Sequence, residues 1–203
     1  MSDAATTALN ELLAGNQRFV RNEPAAQNFI ARRQELLAGQ QPFAIVLGCS
    51  DSRVPPELLF DQGLGDIFVV RTAGQVLEAT TIASIEYAVD HLHTPLLMIL
   101  GHDNCGGVTA AVTHDCRGEG NIGVLFSKIL PSLERARKME VPASEFIEAV
   151  TDFNLDYLAE QLFSDSPIIR AAVTEGRCRM VGAKYFLGSG EVKILTPNYQ
   201  PSD

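Results

Sequence analysis

No apolar run in this 203-residue chain approaches the roughly 20 residues needed to cross a bilayer, so no transmembrane helix is expected. Basic charge is scarce as well: 16 Lys and Arg stand against 25 Asp and Glu, a net charge of −9. Affinity for nucleic acid comes mainly from Lys and Arg neutralising phosphates, so that partner is excluded, and an anionic membrane surface with it. A small neutral or anionic substrate remains open. The start, Met1-Ser-Asp-Ala-Ala-Thr-Thr7, lacks a basic region followed by an apolar stretch, so no secretory signal is expected. Cysteine is sparse too. Four of them, without a signal, read as thiols or metal ligands before disulfides, which makes the cytoplasm the expected compartment. Repeats, low-complexity tracts and linker-like shifts are missing. What is present is ordinary: 46% apolar and 20% charged residues, in a length that suits one domain, 1–203.

The apolar residues fall into two kinds of segment. Phe43–Gly48, Asp66–Arg71 and Pro95–Gly101 are short, near-continuously apolar and bounded by breakers, which predicts buried strands. A more polar strand is expected over Cys178–Tyr185. Val192–Leu195, after Gly188-Ser-Gly190, is expected to return as an antiparallel edge. Helical patterns lie between and before them, at Ala4–Val20, Gln27–Leu37, Thr80–His91, Gly106–Thr113, Val124–Lys138 and Ser144–Phe163. This alternation predicts an α/β fold: a mainly parallel sheet of about four strands with an antiparallel edge strand, helices on both faces and an N-terminal helical arm over 1–38.

Ligands of open α/β sheets bind outside the carboxyl ends of the strands. Cys49 and His102 each follow a predicted strand directly, so they share one sheet edge. His102-x-x-Cys105 puts two metal-capable groups within one turn, and Cys49 adds a soft ligand from the neighbouring strand end. Two thiolates and an imidazole suit zinc, and three protein ligands are the mark of a catalytic site rather than a structural one. Cys116 and Cys178 can in principle close the site, but neither has ligand spacing. Cys49, Asp51 and Arg53 stand two apart, so an extended backbone would project all three to one side. Asp51 then has two possible roles: fourth ligand, or acceptor for the water on the metal. Pairing with Arg53 keeps a carboxylate off the metal and favours the second. Because two thiolates cancel the charge of the ion, the water on it should be less acidic than in three-histidine sites, and activity should rise with pH.

Cys49-x-Asp51-x-Arg53 followed by His102-x-x-Cys105-Gly-Gly107 resembles the β-class carbonic anhydrases. The likeness continues through Asp66–Gly74 and Ile85–Val89 and spans about Gln40 to Val112. It implies reversible hydration of carbon dioxide to bicarbonate and a proton, with one zinc ion per subunit acidifying the attacking water. The family's ligands fall on Cys49, His102 and Cys105, and its Asp-Arg dyad on Asp51 and Arg53. Homodimers or homotetramers are implied, with the arm reaching a neighbour. The open-site branch carries Gln, Phe and Tyr, which match Gln40, Phe68 and Tyr87 as substrate-binding residues. Gln40, being in the arm, would serve a neighbouring subunit's site. The branch inhibited allosterically by bicarbonate carries a Trp where this chain has Val46, although Gly48 and Tyr185 match its other markers. His91, His93 and His114 are proton carriers by residue type only. The alternatives are a hydrolase of carbonyl sulfide or carbon disulfide on the same scaffold, and a non-catalytic zinc protein closed by Asp51. A Cys49 phosphatase would need a longer loop between Cys and Arg.

Overall fold

The computed structural model describes residues 3–201. The chain opens with α1 (Asp3–Arg21), which buries Ala5, Ala8, Leu9, Leu12 and Asn16 on one face at three- and four-residue steps. Then comes α2 (Phe29–Glu35), capped by the Asn28 side chain, which accepts from the Ala31 N–H at 3.1 Å. A 3-10 turn (Leu36–Ala38) tightens its end, and Gly39, at φ 146°, stops it. Neither α2 nor this turn has a buried residue.

Five strands form one sheet: β1 (Ala44–Cys49), β2 (Ile67–Thr72), β3 (Leu96–His102), β4 (Arg179–Tyr185) and β5 (Val192–Tyr199). Their order is β2-β1-β3-β4-β5, parallel throughout except for β5. Side chains alternate across it. Ala44, Val46, Leu96, Met98 and Val181 enter one core, while Ile45, Leu47, Leu97, Ile99 and Met180 enter the other. This is why the strands read as unbroken apolar runs. The first core takes Leu12 of α1, Val108 of α5 (Gly106–Thr113), and Ile129 and Leu133 of α6 (Gly120–Lys138). The second takes Ile85 of α4 (Ala79–Asp90), Leu158 and Leu162 of α7 (Phe146–Asp165), and Ile169 of α8 (Pro167–Thr174). Each fully buried Leu or Ile contributes about 1.5–3 kcal/mol.

Three features depart from the sequence expectation. A one-turn helix, α3 (Pro56–Leu59), follows β1, started by Pro56 in its first turn. α8 occupies a stretch to which the sequence reading assigns no element. Its start signals are present, however: Pro167 in the first turn, and Ser166, whose hydroxyl accepts from the Ile169 N–H at 3.1 Å. Finally, β5 runs past Leu195 to Tyr199 despite Pro197. An edge strand has one unpaired side and so tolerates the missing N–H.

Strand order reverses at β1, which lies between β2 and β3. The crevice at such a switch point, outside the carboxyl ends of the strands, is where open α/β sheets bind ligands. The last residue of β1 is Cys49 and the last of β3 is His102.

Candidate metal centre and active site

Cys49, His102 and Cys105 come together at this crevice, all buried, with their ligand atoms within 4.8 Å of one another. No other such cluster occurs among the described residues. Cys105 lies just ahead of α5, so the Gly107 and Val108 N–H groups at that helix start bond its sulfur. Cys116 and Cys178 are buried elsewhere and stay outside the cluster.

The donor set fits a tetrahedral zinc ion. Two sulfurs each about 2.3 Å from one centre should lie about 3.8 Å apart; Cys49 Sγ and Cys105 Sγ are 3.9 Å apart. His102 Nδ1 bonds the Asp103 carbonyl at 2.8 Å, which turns Nε2 inward. There Nε2 is buried and has no hydrogen-bond partner, which is costly for a polar atom unless something binds it. Protonation of the thiols agrees. The Cys105 thiol bonds Cys49 and pulls its pKa down, helped by the Asp51 and Gly74 N–H groups. Cys105 is pushed up in turn, first by that bond and then by burial. Burial alone would lower His102, but the Cys49 thiolate beside it raises it overall. The two sulfurs therefore share a proton that a divalent cation would displace.

Asp51 and Arg53 meet beside the triad, though not on an extended backbone. The chain turns here: the Val54 N–H bonds the Asp51 carbonyl at 3.1 Å, and the Arg53 N–H bonds Asp51 Oδ1 at 2.9 Å. A short carboxylate that caps its own turn favours this conformation over an extended one. The guanidinium then grips both carboxylate oxygens, with Nε to Oδ1 at 2.9 Å and Nη2 to Oδ2 at 2.7 Å. Arg53 lowers the Asp51 pKa to about 2. Asp51 Oδ2 lies 4.0 Å from His102 Nε2. The carboxylate is thus ionised, next to the triad and held from the other side.

Several supporting residues were given no role by the sequence motifs, although Arg71 and Gly74 lie within the matching segment Asp66–Gly74. Arg71, near the end of β2, donates from Nε to the Cys49 carbonyl at 2.7 Å and from Nη2 to the Asp51 carbonyl at 2.6 Å. Gly74 and Gln75 take left-handed backbone (φ 66° and 56°), bringing the Gly74 N–H to the Cys49 sulfur. The Gln75 side chain anchors this turn on the Leu100 carbonyl. An Arg ending an apolar strand is a usable sequence signal; a strained Gln is not.

The three substrate-binding candidates lie further out. Phe68 and Tyr87 are neighbours, with ring centroids 6.3 Å apart, and Tyr87 also meets the His91 ring at 5.3 Å. Gln40 lines a cavity of about 460 Å³ with Arg32, Leu36 and Gly39 of the arm, and no member of the triad borders it. His93 and His114 are exposed.

Comparison with known proteins agrees with the site. The carbonic anhydrase family model matches residues 44–192. A carbonic anhydrase of Mycolicibacterium smegmatis is 40% identical over 195 residues, covering 94% of this chain and 92% of that protein. Carbonic anhydrase 2 of Mycobacterium tuberculosis is 39% identical over 198 residues, covering 94% and 91%. Among solved structures, Coccomyxa β-carbonic anhydrase in complex with acetazolamide superposes with a TM-score of 0.75 at 25% identity, over 95% of this chain and 88% of that one. A tetrameric β-carbonic anhydrase of Sordaria macrospora gives 0.67 at 26%, over 94% of each chain. No described helix is long and apolar enough to cross a membrane. The sheet with its antiparallel edge, the Cys-His-Cys cluster and these matches agree: the chain belongs to the carbonic anhydrases, lyases, and within them to the β class.

Proposed function

We propose that this protein hydrates carbon dioxide reversibly to bicarbonate and a proton, with one zinc ion per chain on Cys49, His102 and Cys105. The observation that carries this is the buried triad with His102 Nε2 unpartnered beside an Asp51 that Arg53 grips by both oxygens. When bound there, zinc supplies the acidity that makes hydroxide available for attack on carbon dioxide. The chain's own residues do the rest. Arg53 keeps the Asp51 carboxylate turned from the triad. Asp51, ionised at all working pH values, accepts a hydrogen bond from the nucleophile and so orients its lone pair toward the substrate carbon. Phe68 and Tyr87 would offer an apolar wall to a small non-polar substrate, and the Gln40 amide a donor to its oxygen.

This reading treats 1–203 as one domain with residues 1–38 as an arm that packs on a second copy in a homodimer or homotetramer. Support comes from an arm that buries none of its α2 residues, and from a relative that is itself tetrameric. The cytoplasm is the proposed compartment.

Stopped-flow carbon dioxide hydration measured against pH, with zinc quantified on the same sample, tests the proposal. We expect about one zinc per chain and a kcat/KM that rises toward alkaline pH. A flat profile would overturn the charge argument behind that rise. Stoichiometric zinc without hydration at any pH would overturn the function, and turnover of carbonyl sulfide or carbon disulfide in its place would reassign it.

A further inference from the structure

The turn between His102 and Cys105 supplies two of the three candidate ligands, and much of what holds it comes from outside. Asn104 at its apex sits in left-handed backbone (φ 50°), a conformation that Asn accepts more readily than other residues with a side chain. The peptide groups on both sides of Asn104 are fixed from outside the turn. Asn104 N–H donates to Glu148 Oε1 on α7 at 2.9 Å. The Asn104 carbonyl accepts from Arg53 Nη2 at 3.2 Å. Glu148 is itself held: its Oε2 lies 2.8 Å from Lys184 Nζ, on the strand beside β3. Lys184 is 4% exposed, and its charge is balanced a second time by Asp152 Oδ1 at 2.7 Å. Its neighbour Tyr185 pairs with His102 in the sheet and accepts from the Asp103 N–H. One carboxylate thus ties α7, β4 and the ligand turn together.

We propose that Glu148, braced by the buried Lys184, is a positioning residue that sets the geometry of the metal centre through the Asn104 peptide. This rests on the metal-site reading above. The reach extends further, because Arg53, which orients Asp51, bonds the same residue. If Glu148 goes, Asn104 loses one of its two outside bonds while Asp103 keeps its own to the Tyr185 carbonyl and the Leu187 N–H, and the seat of Arg53 loosens. Outer-shell partners of ligands typically change metal affinity or activity by 10–100-fold.

The two carboxylates on Lys184 separate this role from plain stability. Either one, left alone, still balances the buried ammonium, but only Glu148 touches the ligand turn. We expect Glu148→Ala to release zinc to a chelator about tenfold faster and to alter the visible spectrum of the cobalt(II)-substituted protein. Its kcat should fall more than its KM rises. Asp152→Asn should lower Tm by a similar amount yet leave zinc release and the cobalt spectrum as in the parent. Glu148→Gln keeps an acceptor for the Asn104 N–H and should fall between the two. If Glu148→Ala does not fold, Glu148→Gln must still release zinc faster than Asp152→Asn. Equal release rates and spectra in the two carboxylate variants would overturn the proposal while the parent's zinc content upholds the site. A parent that binds no zinc would overturn both.

Discussion

At the sheet edge that holds Cys49, His102 and Cys105, no ligand is more than 5% exposed, and one chain supplies every fastening described around them. On the arm and on α4 the reverse holds: Phe29, Ile30 and Leu37 of the one and Tyr87 of the other are 46–77% exposed. Both regions carry candidate site residues. The Cys-His-Cys cluster is thus enclosed inside a single chain, whereas the proposed apolar wall stands partly open at Tyr87. Large apolar side chains gathered in the open mark an interaction surface. A second copy laid over the arm would cover the exposed side chains of Phe29, Ile30 and Leu37.

Breaking the self-contained side should have the largest effect. Arg53→Ala frees the Asp51 carboxylate to swing toward the metal. Hydration should fall at least about a hundredfold, with zinc content unchanged. Stopped-flow rates paired with metal analysis decide it, and near-normal hydration would remove Arg53 from the mechanism. The pH response of the pair follows from its sign. Asp51 has a depressed pKa in the folded state, about 2. Its stabilising contribution is therefore complete above the ordinary carboxylate value near 4 and is lost only as pH falls through about 2. Any activity change near neutrality or above cannot be the titration of Asp51. A pH profile of Asp51→Asn with the same midpoint as the parent, at a lower plateau, would bear this out.

A charge on the unfinished side should act more mildly and through assembly. Leu37 is 77% exposed, so Leu37→Asp costs the lone chain almost nothing. Buried against a second copy, the same carboxylate would be unpaired and expensive. The expected result is a smaller species by light scattering and about a tenfold loss of kcat/KM, with zinc retained. Unchanged assembly and rate would mean that the arm covers nothing the reaction needs.

The same contrast explains what the sequence could reveal. Strands buried on both faces leave unbroken apolar runs, and ligands at strand ends follow them directly, so the sheet, its edge strand and the triad were all legible. The bonds behind the triad were not. Glu148 meets Asn104 across 44 residues, and Arg71 meets Cys49 across 22; no local spacing encodes either contact. The turn at Asp51 was missed for a different reason. An alternate-residue pattern is compatible with both a strand and an Asx turn, and the hydrogen bond to the Arg53 N–H decides for the turn. α8 carried legible start signals in Ser166 and Pro167, but at eight residues directly behind α7 it is too short for its apolar spacing to stand out as a separate helix.

The smallest test concerns two adjacent glycines at the start of α5. A Cβ on Gly107 would come within 2.7 Å of the Gly74 nitrogen and 2.9 Å of its Cα, and both are backbone atoms that cannot rotate away. A Cβ on Gly106 would meet nothing within 4 Å. Gly107→Ala must therefore push the 74–75 turn outward, at a cost of about 1–3 kcal/mol, or roughly 3–10 °C in Tm for a chain of this size. The push also draws the Gly74 N–H away from the Cys49 sulfur, so zinc should leave a few times faster. Gly106→Ala should leave both quantities near the parent values. If the two variants behave alike, the close approach of α5 to that turn is incidental packing, and the support of Cys49 rests on Arg71 and the Asp51 turn.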